Sequence, residues 1–276
     1  MDNQNASDGM AIVPLPRMIA TDLDGTLLRD DSTLSSRTKD ALHAVRSRGV
    51  RVVAATARPA RVIDELFPGG DLIDTAVCGN GSTLYDPASG TIDIRHPLPE
   101  PVMRKVVEII LRMVPGAGFA VETGHRVVYE ENYLYRPTLD RDRSLVAIDS
   151  LYDEPAVKLM VWLPSQDPAA EWTRLAPLLS DLISCTWSSE RAPFEISAAG
   201  VSKAAALTTV SAEWGIAPDD VIAFGDALND LPMMTWAGAS YAVANADPAV
   251  RDAASHTTDS NEDDGVAKVL EALLGS

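Results

Sequence analysis

The sequence predicts an α/β protein: a Rossmann-like, mainly parallel sheet covered on both faces by helices, with a second, α+β domain inserted into it. Three observations predict this. Short apolar runs alternate with helical patterns at both ends of the chain. The middle third changes to paired alternating runs around turn residues. Polar residues with chemical potential stand at the ends of several apolar runs, where open α/β sheets bind their ligands.

In the first third, RMIAT is a short buried run that ends at Asp22. SSRTKDALHAVRSRG follows, with Leu42 and Val45 at helical spacing, serine at its start and Gly49 at its end. VRVVAAT is a second strand, ARVIDELF a helix, and DTAVCG a third strand running into Gly79-Asn80-Gly81. The last third repeats the alternation. SKAAALTTVSAEWG is a helix, DVIAFG a strand ending at Asp226, NDLPMMTWAG a helix, SYAVA a strand and DGVAKVLEALL a closing helix. Strands that alternate with helices imply a parallel sheet with both faces covered.

The middle reads differently. TLYDPASGTIDIR is a hairpin around Pro-Ala-Ser-Gly, and FAVETGHRVVYE is another, turning at Thr123 and Gly124. EPVMRKVVEIILRMV and AAEWTRLAPLLSDL are helices, VKLMVWL is a strand, and SCTWSSERAPFEIS is a last antiparallel pair. The expected organisation is a flexible extension over residues 1–16, a core domain from 17–82 and 200–276, and an inserted domain over 83–199.

Composition bounds the function. With 276 residues, 46% of them apolar, the chain can build a sizeable core. The net charge of -17 argues against nucleic acid or an anionic membrane as a partner. It also means that any anion site must be made locally, by a metal or by placed Lys and Arg. Cys78 and Cys185 are the two cysteines and have no metal spacing, so both are expected to be reduced packing residues. No run approaches a membrane span, and MAIVPLPRMIA, broken by Pro14, Pro16 and Arg17, is not a signal peptide. A cytoplasmic protein is expected.

The strand-end residues are Asp22 and Asp24, then Thr56 and Arg58, then Asn80, then Asp226, Asn229 and Asp230. A single aspartate after a strand is ordinarily a cap or turn residue. Four strand ends carrying such residues together are harder to explain that way. Carboxylates as close as Asp22, Asp24 and Asp226 would bind a hard cation, and few ligands with room for water favour Mg²⁺ over Ca²⁺. Gly25 permits a sharp turn beside them. Lys203 stands in the first turn of a predicted helix, against the helix dipole. It is either an exposed lysine swung into solvent or one half of an anion site, and a phosphate fits the second reading. On the dipole argument, removing Lys203 should spare the fold.

DLDGTL, TAR, CGNGS, GVSKAAAL, GDALND and NEDDGVA occur in an order that resembles the haloacid dehalogenase-like hydrolases, most of all their Cof-type (subclass IIB) sugar-phosphatase branch with a large α/β cap. The resemblance spans about residues 19–267, and the inserted domain contributes almost none of it. It implies that Asp22 is a nucleophile forming an aspartyl-phosphate and that Asp24 is the general acid and base. It implies that Thr56, Lys203 and Asn229 hold phosphoryl oxygens, with Ala57, Arg58 and Asn80 also at the phosphate or substrate. Mg²⁺ would bridge Asp22, the main-chain oxygen of Asp24 and phosphate, with Asp226 direct and Asp230 direct or through water. The sequence departs from the pattern at Ala57, where many relatives have glycine, and at Ser82, where many have alanine.

The expected activity is a Mg²⁺-dependent phosphatase of small phosphorylated metabolites, acting as a monomer or weak dimer. A phosphomutase and a non-catalytic phosphometabolite sensor are the competing classes. Within the cap, Glu122, His125, Arg126 and Arg191 are candidate readers of the substrate, each weighed against a plain surface role. Arg58 either touches substrate or pairs with an acidic neighbour.

Overall fold

The computed structural model describes residues 15–135, 144–187 and 193–275. Strand β1 (Met18–Thr21) is buried at every position, as are β2 (Arg51–Ala55) beyond Arg51 and β3 (Thr75–Cys78). Strands covered on both faces lose the in-out alternation and read as continuous apolar runs. Between β1 and β2, helix α1 (Ser36–Ser47) buries Thr38, Ala41, Leu42 and Val45. The Ser35 hydroxyl accepts from the Thr38 amide and so satisfies one orphan donor of the first turn. Gly49, at φ +83°, lets the chain leave α1 for β2. The helix predicted over 60–67 is shorter than its pattern. A 3₁₀ turn (Ala60–Val62) leads into α2 (Ile63–Leu66), confined between Pro59 and Pro68.

β4 (Thr83–Asp86) and β5 (Thr91–Ile94) form the predicted hairpin, but it pairs with β3 and extends the first sheet. A domain boundary at residue 83 therefore falls too early. After β3 the chain reverses within Gly79–Gly81, and the hairpin covers the edge that β3 would otherwise expose. Ser82, one of the two departures, sits at this reversal. Its hydroxyl donates to the Gly79 carbonyl at 2.7 Å, and its carbonyl accepts from the Arg95 and His96 amides.

The inserted domain comprises α3 (Glu100–Met113), β6 (Gly118–Glu122), β7 (Val127–Glu130), β8 (Ser144–Val146), β9 (Lys158–Trp162), α4 (Pro168–Leu179), β10 (Ile183–Thr186) and β11 (Phe194–Ala198). Its sheet runs β10-β11-β9-β6-β7-β8 and is antiparallel except where β7 meets β8, a strand the sequence pattern did not reveal. Val106 and Ile110 of α3 and Leu175 and Leu179 of α4 pack on one face, against Phe119, Val121, Leu159, Val161, Phe194 and Ile196. Alternation along β9 then directs Lys158, Met160 and Trp162 to the opposite face. There Met160 and Trp162 pack against Ala120, Val127, Tyr129 and Tyr133.

The chain returns through α5 (Lys203–Glu213), β12 (Val221–Gly225), α6 (Leu231–Trp236), β13 (Ala239–Ala242), α7 (Pro248–Ala253), β14 (His256–Thr257) and α8 (Gly265–Leu274). The core sheet runs β14-β13-β12-β1-β2-β3-β4-β5, with every strand from β14 to β3 parallel. α1 packs on α8, and α5 on α6. β1 thus has β2 on one side and the late strand β12 on the other. A switch of this kind opens a crevice at the carboxyl ends of the strands. Both cysteines are free. No helix among the described residues is long and apolar enough to cross a membrane.

Candidate active site

The crevice is built where β1 and β12 end together. The Asp22 amide donates to the Phe224 carbonyl at 3.0 Å, which keeps Asp22 in line with the sheet. The chain then turns through Gly25, at φ +76°. A Cβ at Gly25 would stand 2.6 Å from Asp226 Oδ2, so the turn needs glycine for space as well as for conformation. The Thr26 hydroxyl donates to Asp226 Oδ1 at 2.8 Å, which ties the two strand ends together.

Lys203 lies beneath them. It opens α5 after Ser202, whose hydroxyl accepts from the Ala205 amide at 3.1 Å. Its side chain is 1% exposed, and Nζ donates at 2.6 Å to Asp22 Oδ1 and at 2.6 Å to Asp230 Oδ1. The reading of Lys203 as an exposed lysine is therefore overturned. The other oxygen of Asp230 accepts the Asp226 and Ala227 amides at 3.1 and 3.0 Å. Gly225 permits that approach, since a Cβ there would lie 2.6 Å from Asp230 Cβ.

Asp22, Asp226 and Asp230 each offer a carboxylate oxygen within 4.8 Å of the others. Burial pushes the Asp22 carboxyl well above the usual carboxylate range, against the pull of Lys203. Burial also raises Asp226, against the bond from Thr26. For Lys203, burial alone would lower the ammonium, but Asp22 and Asp230 more than reverse this and hold it charged. Three carboxylates thus face one ammonium. An all-oxygen donor set with excess negative charge fits a small, hard divalent cation. The sequence had grouped the Asp24 carboxylate with Asp22 and Asp226. The geometry puts Asp230 in that position and turns Asp24 elsewhere.

The Asp24 side chain is 54% exposed and is held by a two-pronged contact from Arg58, Nε to Oδ2 at 2.7 Å and Nη2 to Oδ1 at 2.5 Å. Arg58 therefore pairs with an acidic neighbour, one of its two predicted roles, and it also lines the cleft. Thr56 is fully buried, and its hydroxyl oxygen accepts the Arg58 amide at 3.0 Å. Asn80 adopts a left-handed conformation (φ 56°) and accepts from Asn229 Nδ2 at 3.1 Å. Asp22, Asp24, Ala57, Arg58, Asn80, Asp226 and Asn229 line one cleft of about 1290 Å³. Thr56, Lys203 and Asp230 are buried against it, bonded to the lining residues Arg58, Asp22 and Asp226 respectively.

The opposite wall comes from the cap. Lys158, 4% exposed, donates to the Ala57 carbonyl at 2.9 Å and to Glu195 Oε2 at 2.8 Å. Arg61 of the core pairs with Glu122, and Asn80 Nδ2 reaches Thr186 Oγ1 at 3.3 Å. Of the predicted cap readers, Glu122 lines the cleft. His125 and Arg126 are exposed, and Arg126 pairs with Glu154 beside a separate, smaller cavity. Arg191 lies outside the described residues. Lys158, Glu195 and Arg61 escaped the sequence reading. A signal existed in VKLMVWL, where a lone lysine stands on the period-two face shared with Met160.

The NEDDG loop also finds a place. Asn261 Nδ2 donates to the Leu28 carbonyl at 3.0 Å, and its amide donates to Asn245 Oδ1 at 3.1 Å. Asn245 in turn donates to the Gly25 carbonyl at 2.7 Å. The loop therefore braces the turn that carries Asp22 and Asp24.

Residues 19–270 match the family model of the haloacid dehalogenase-like hydrolases. The chain is 28% identical over 267 residues to the 5-amino-6-(5-phospho-D-ribitylamino)uracil phosphatase of Bacillus subtilis (strain 168), covering 93% of this chain and 97% of that one. It is 28% identical over 270 residues to the pyridoxal phosphate phosphatase of Escherichia coli (strain K12), covering 94% and 98%. Among solved structures, a Streptococcus mutans UA159 protein superposes with a TM-score of 0.84 at 26% identity, covering 95% of this chain and 100% of that one.

Proposed function

The chain belongs to the haloacid dehalogenase-like hydrolases, as a phosphatase of that type, and from that premise we propose that it hydrolyses small phosphorylated metabolites through an aspartyl-phosphate on Asp22. One observation carries the reading. Asp22 is a buried carboxylate in the cleft between core and cap, oriented by Lys203 and crowded by Asp226 and Asp230. The relatives' substrates support small phosphorylated metabolites as the class.

Asp22, Asp226 and Asp230, with the main-chain oxygen of Asp24, would hold Mg²⁺, which when bound offsets the charge of nucleophile and phosphoryl group. Lys203 fixes the Asp22 carboxylate at Oδ1 and adds a positive charge behind it. An Asp22 oxygen attacks phosphorus as the bond to the leaving oxygen breaks. Asp24 gives that oxygen a proton. Asp24 then takes a proton from the water that attacks the phosphorus, the bond to Asp22 breaks, and phosphate leaves. Arg58 grips both oxygens of Asp24, so the fork must loosen for the proton to be held there. Thr56 uses its oxygen to accept the Arg58 amide, which leaves its hydroxyl hydrogen to donate to phosphate. Asn229 spends one amide hydrogen on Asn80 and keeps the other. Anion meets anion in this reaction, so positioning and charge compensation are most of the catalysis.

Acid quenching during turnover of an aryl phosphate tests the proposal. Phosphate should be found on the peptide carrying Asp22, be absent in Asp22→Asn, and give free phosphate when the parent completes its cycle. Steady turnover without an adduct would refute the covalent route. An isomerised phosphate ester in place of free phosphate would make the chain a phosphomutase.

A further inference from the structure

The face that the cap sheet turns to the cleft is mostly apolar, with Val127, Tyr133 and Met160 on it, yet a stripe of charge crosses it. Glu122 on β6 stands directly opposite Lys158 on β9. Glu195 on β11 is opposite Met160, which makes it the diagonal neighbour of Lys158. The three charges therefore alternate in sign across three adjacent strands. Charges buried on such a face are costly unless they are paired and hydrogen-bonded. Two of the three are tied to the core: Glu122 pairs with Arg61 and accepts the Gly124 amide at 2.9 Å, and Lys158 bonds the Ala57 carbonyl. Glu195 is different. Only its Oε2 is engaged, by Lys158 at 2.8 Å, and its Oε1 has no partner among the described residues although the side chain lines the cleft.

We propose that Glu195 is a specificity-determining residue of the cap, which accepts a hydrogen bond from a hydroxyl or amino group of the leaving group and rejects leaving groups that carry a second anion there. The inference rests on the phosphatase reading for the position of the phosphoryl end. Among the described residues, seven carboxylates and three cations line the cleft, and each of these three cations already grips a carboxylate. A carboxylate on the substrate would meet Glu195 without a free counter-charge among these groups. A hydroxyl in the same place donates to Glu195 and can accept from Lys158. The substrate class is then a phosphomonoester of a polyol or hydroxy-amine, and not a phosphorylated hydroxy acid.

Matched pairs that differ only at the far end test this: glycerol 3-phosphate against 3-phosphoglycerate, ribitol 5-phosphate against 5-phosphoribonate, glucitol 6-phosphate against 6-phosphogluconate. Binding is read by calorimetry in an Asp22→Ala background, where no turnover competes. In at least one pair the alcohol should bind more tightly by about 10- to 100-fold, the range of a hydrogen bond to a charged group. Adding Glu195→Gln keeps size and shape but removes the charge, and should bring that ratio to near unity. A merely structural role would weaken both members of the pair together and leave the ratio alone. Equal binding of alcohol and acid in every pair, or a ratio unmoved by Glu195→Gln, would overturn the proposal. A parent protein that releases phosphate from no phosphomonoester would instead overturn the phosphatase reading, and the binding ratio would still decide the role of Glu195.

Discussion

Replacing Lys203 by methionine separates two physical arguments that differ in sign. A lysine in the first turn of a helix opposes the dipole, so its removal should gain about 0.3–1 kcal/mol. The structure adds that this ammonium is 1% exposed and donates at 2.6 Å to each of two carboxylates. Methionine fills most of the same volume, so packing changes little. What disappears is the charge that compensates Asp22 and Asp230. Removing one partner of a buried pair costs about 3–5 kcal/mol, several times the dipole gain. With a urea m-value of roughly 1–3 kcal/mol/M, the midpoint in chelator should fall by on the order of 1–3 M. Amide exchange should report the loss in β1 and β12, whose ends the cluster joins. Turnover should fall by on the order of 10²–10³, the cost of removing one preorganised charge donor. Asp230→Asn in the Lys203→Met background should cost less than in the parent, because the pair is already broken. An unchanged midpoint, or strictly additive costs, would refute the argument that burial outweighs the dipole here.

Chelator should abolish turnover, Mg²⁺ should restore it, and Ca²⁺ should inhibit, because its larger and more flexible shell misplaces the nucleophile; full activity in excess chelator would remove the metal from the site. Asp24→Asn should slow alkyl phosphates by roughly 10²–10⁴. With an activated aryl phosphate it should release about one equivalent of phenol in a burst and stall with phosphate on Asp22, and parental steady-state turnover would show that Asp24 moves no proton. Asp74 is a pH-dependent brace: burial works to raise its pKa, but the Val52 amide and the guanidiniums of Arg46 and Arg51 outweigh this and lower it. A lowered folded pKa gives stability that is present above the unfolded value and lost as pH falls through the folded one. The stability gap between the parent and Asp74→Asn should therefore shrink as pH drops below about 4, and a gap independent of pH would contradict it.

The strand-end residues were legible because burial on both faces writes a parallel strand as an apolar run, and the polar residues just after it mark the exit. That is how Asp22, Thr56, Asn80 and Asp226 announced themselves. Lys203 was legible as a helix start, but not as a buried cation. Its depth depends on Gly81, where a Cβ would stand 2.5 Å from the Ser202 carbonyl, letting α5 approach the sheet. Asp230 was visible in GDALND, yet its place beside Asp22 needs the close approach at Gly225 and the 3₁₀ turn Leu228–Asp230. The β4–β5 hairpin was read correctly as local structure and assigned to the wrong sheet, because turn chemistry does not say which edge a hairpin will cover. Lys158 and Glu195 lie on strands joined only by register, and register between distant strands is a tertiary property.

The net charge of -17 raised the question of how such a chain could receive a dianion. Distance supplies the answer. At physiological ionic strength exposed charges more than about 8 Å apart are largely screened, whereas buried pairs are not. The surface acids therefore weigh mainly on the encounter, and association of a phosphorylated ligand should quicken as salt is added. Inside the cleft the balance is set by a few placed groups: Lys203 beneath Asp22, Arg58 on Asp24, and Lys158 and Arg61 at the seam with the cap. Each of these cations is already paired with a carboxylate, so none of them is spare charge for the ligand. What the protein's own residues leave uncompensated is the excess of carboxylate around Asp22, Asp226 and Asp230, and that is where a divalent cation and a phosphoryl group together would restore the balance.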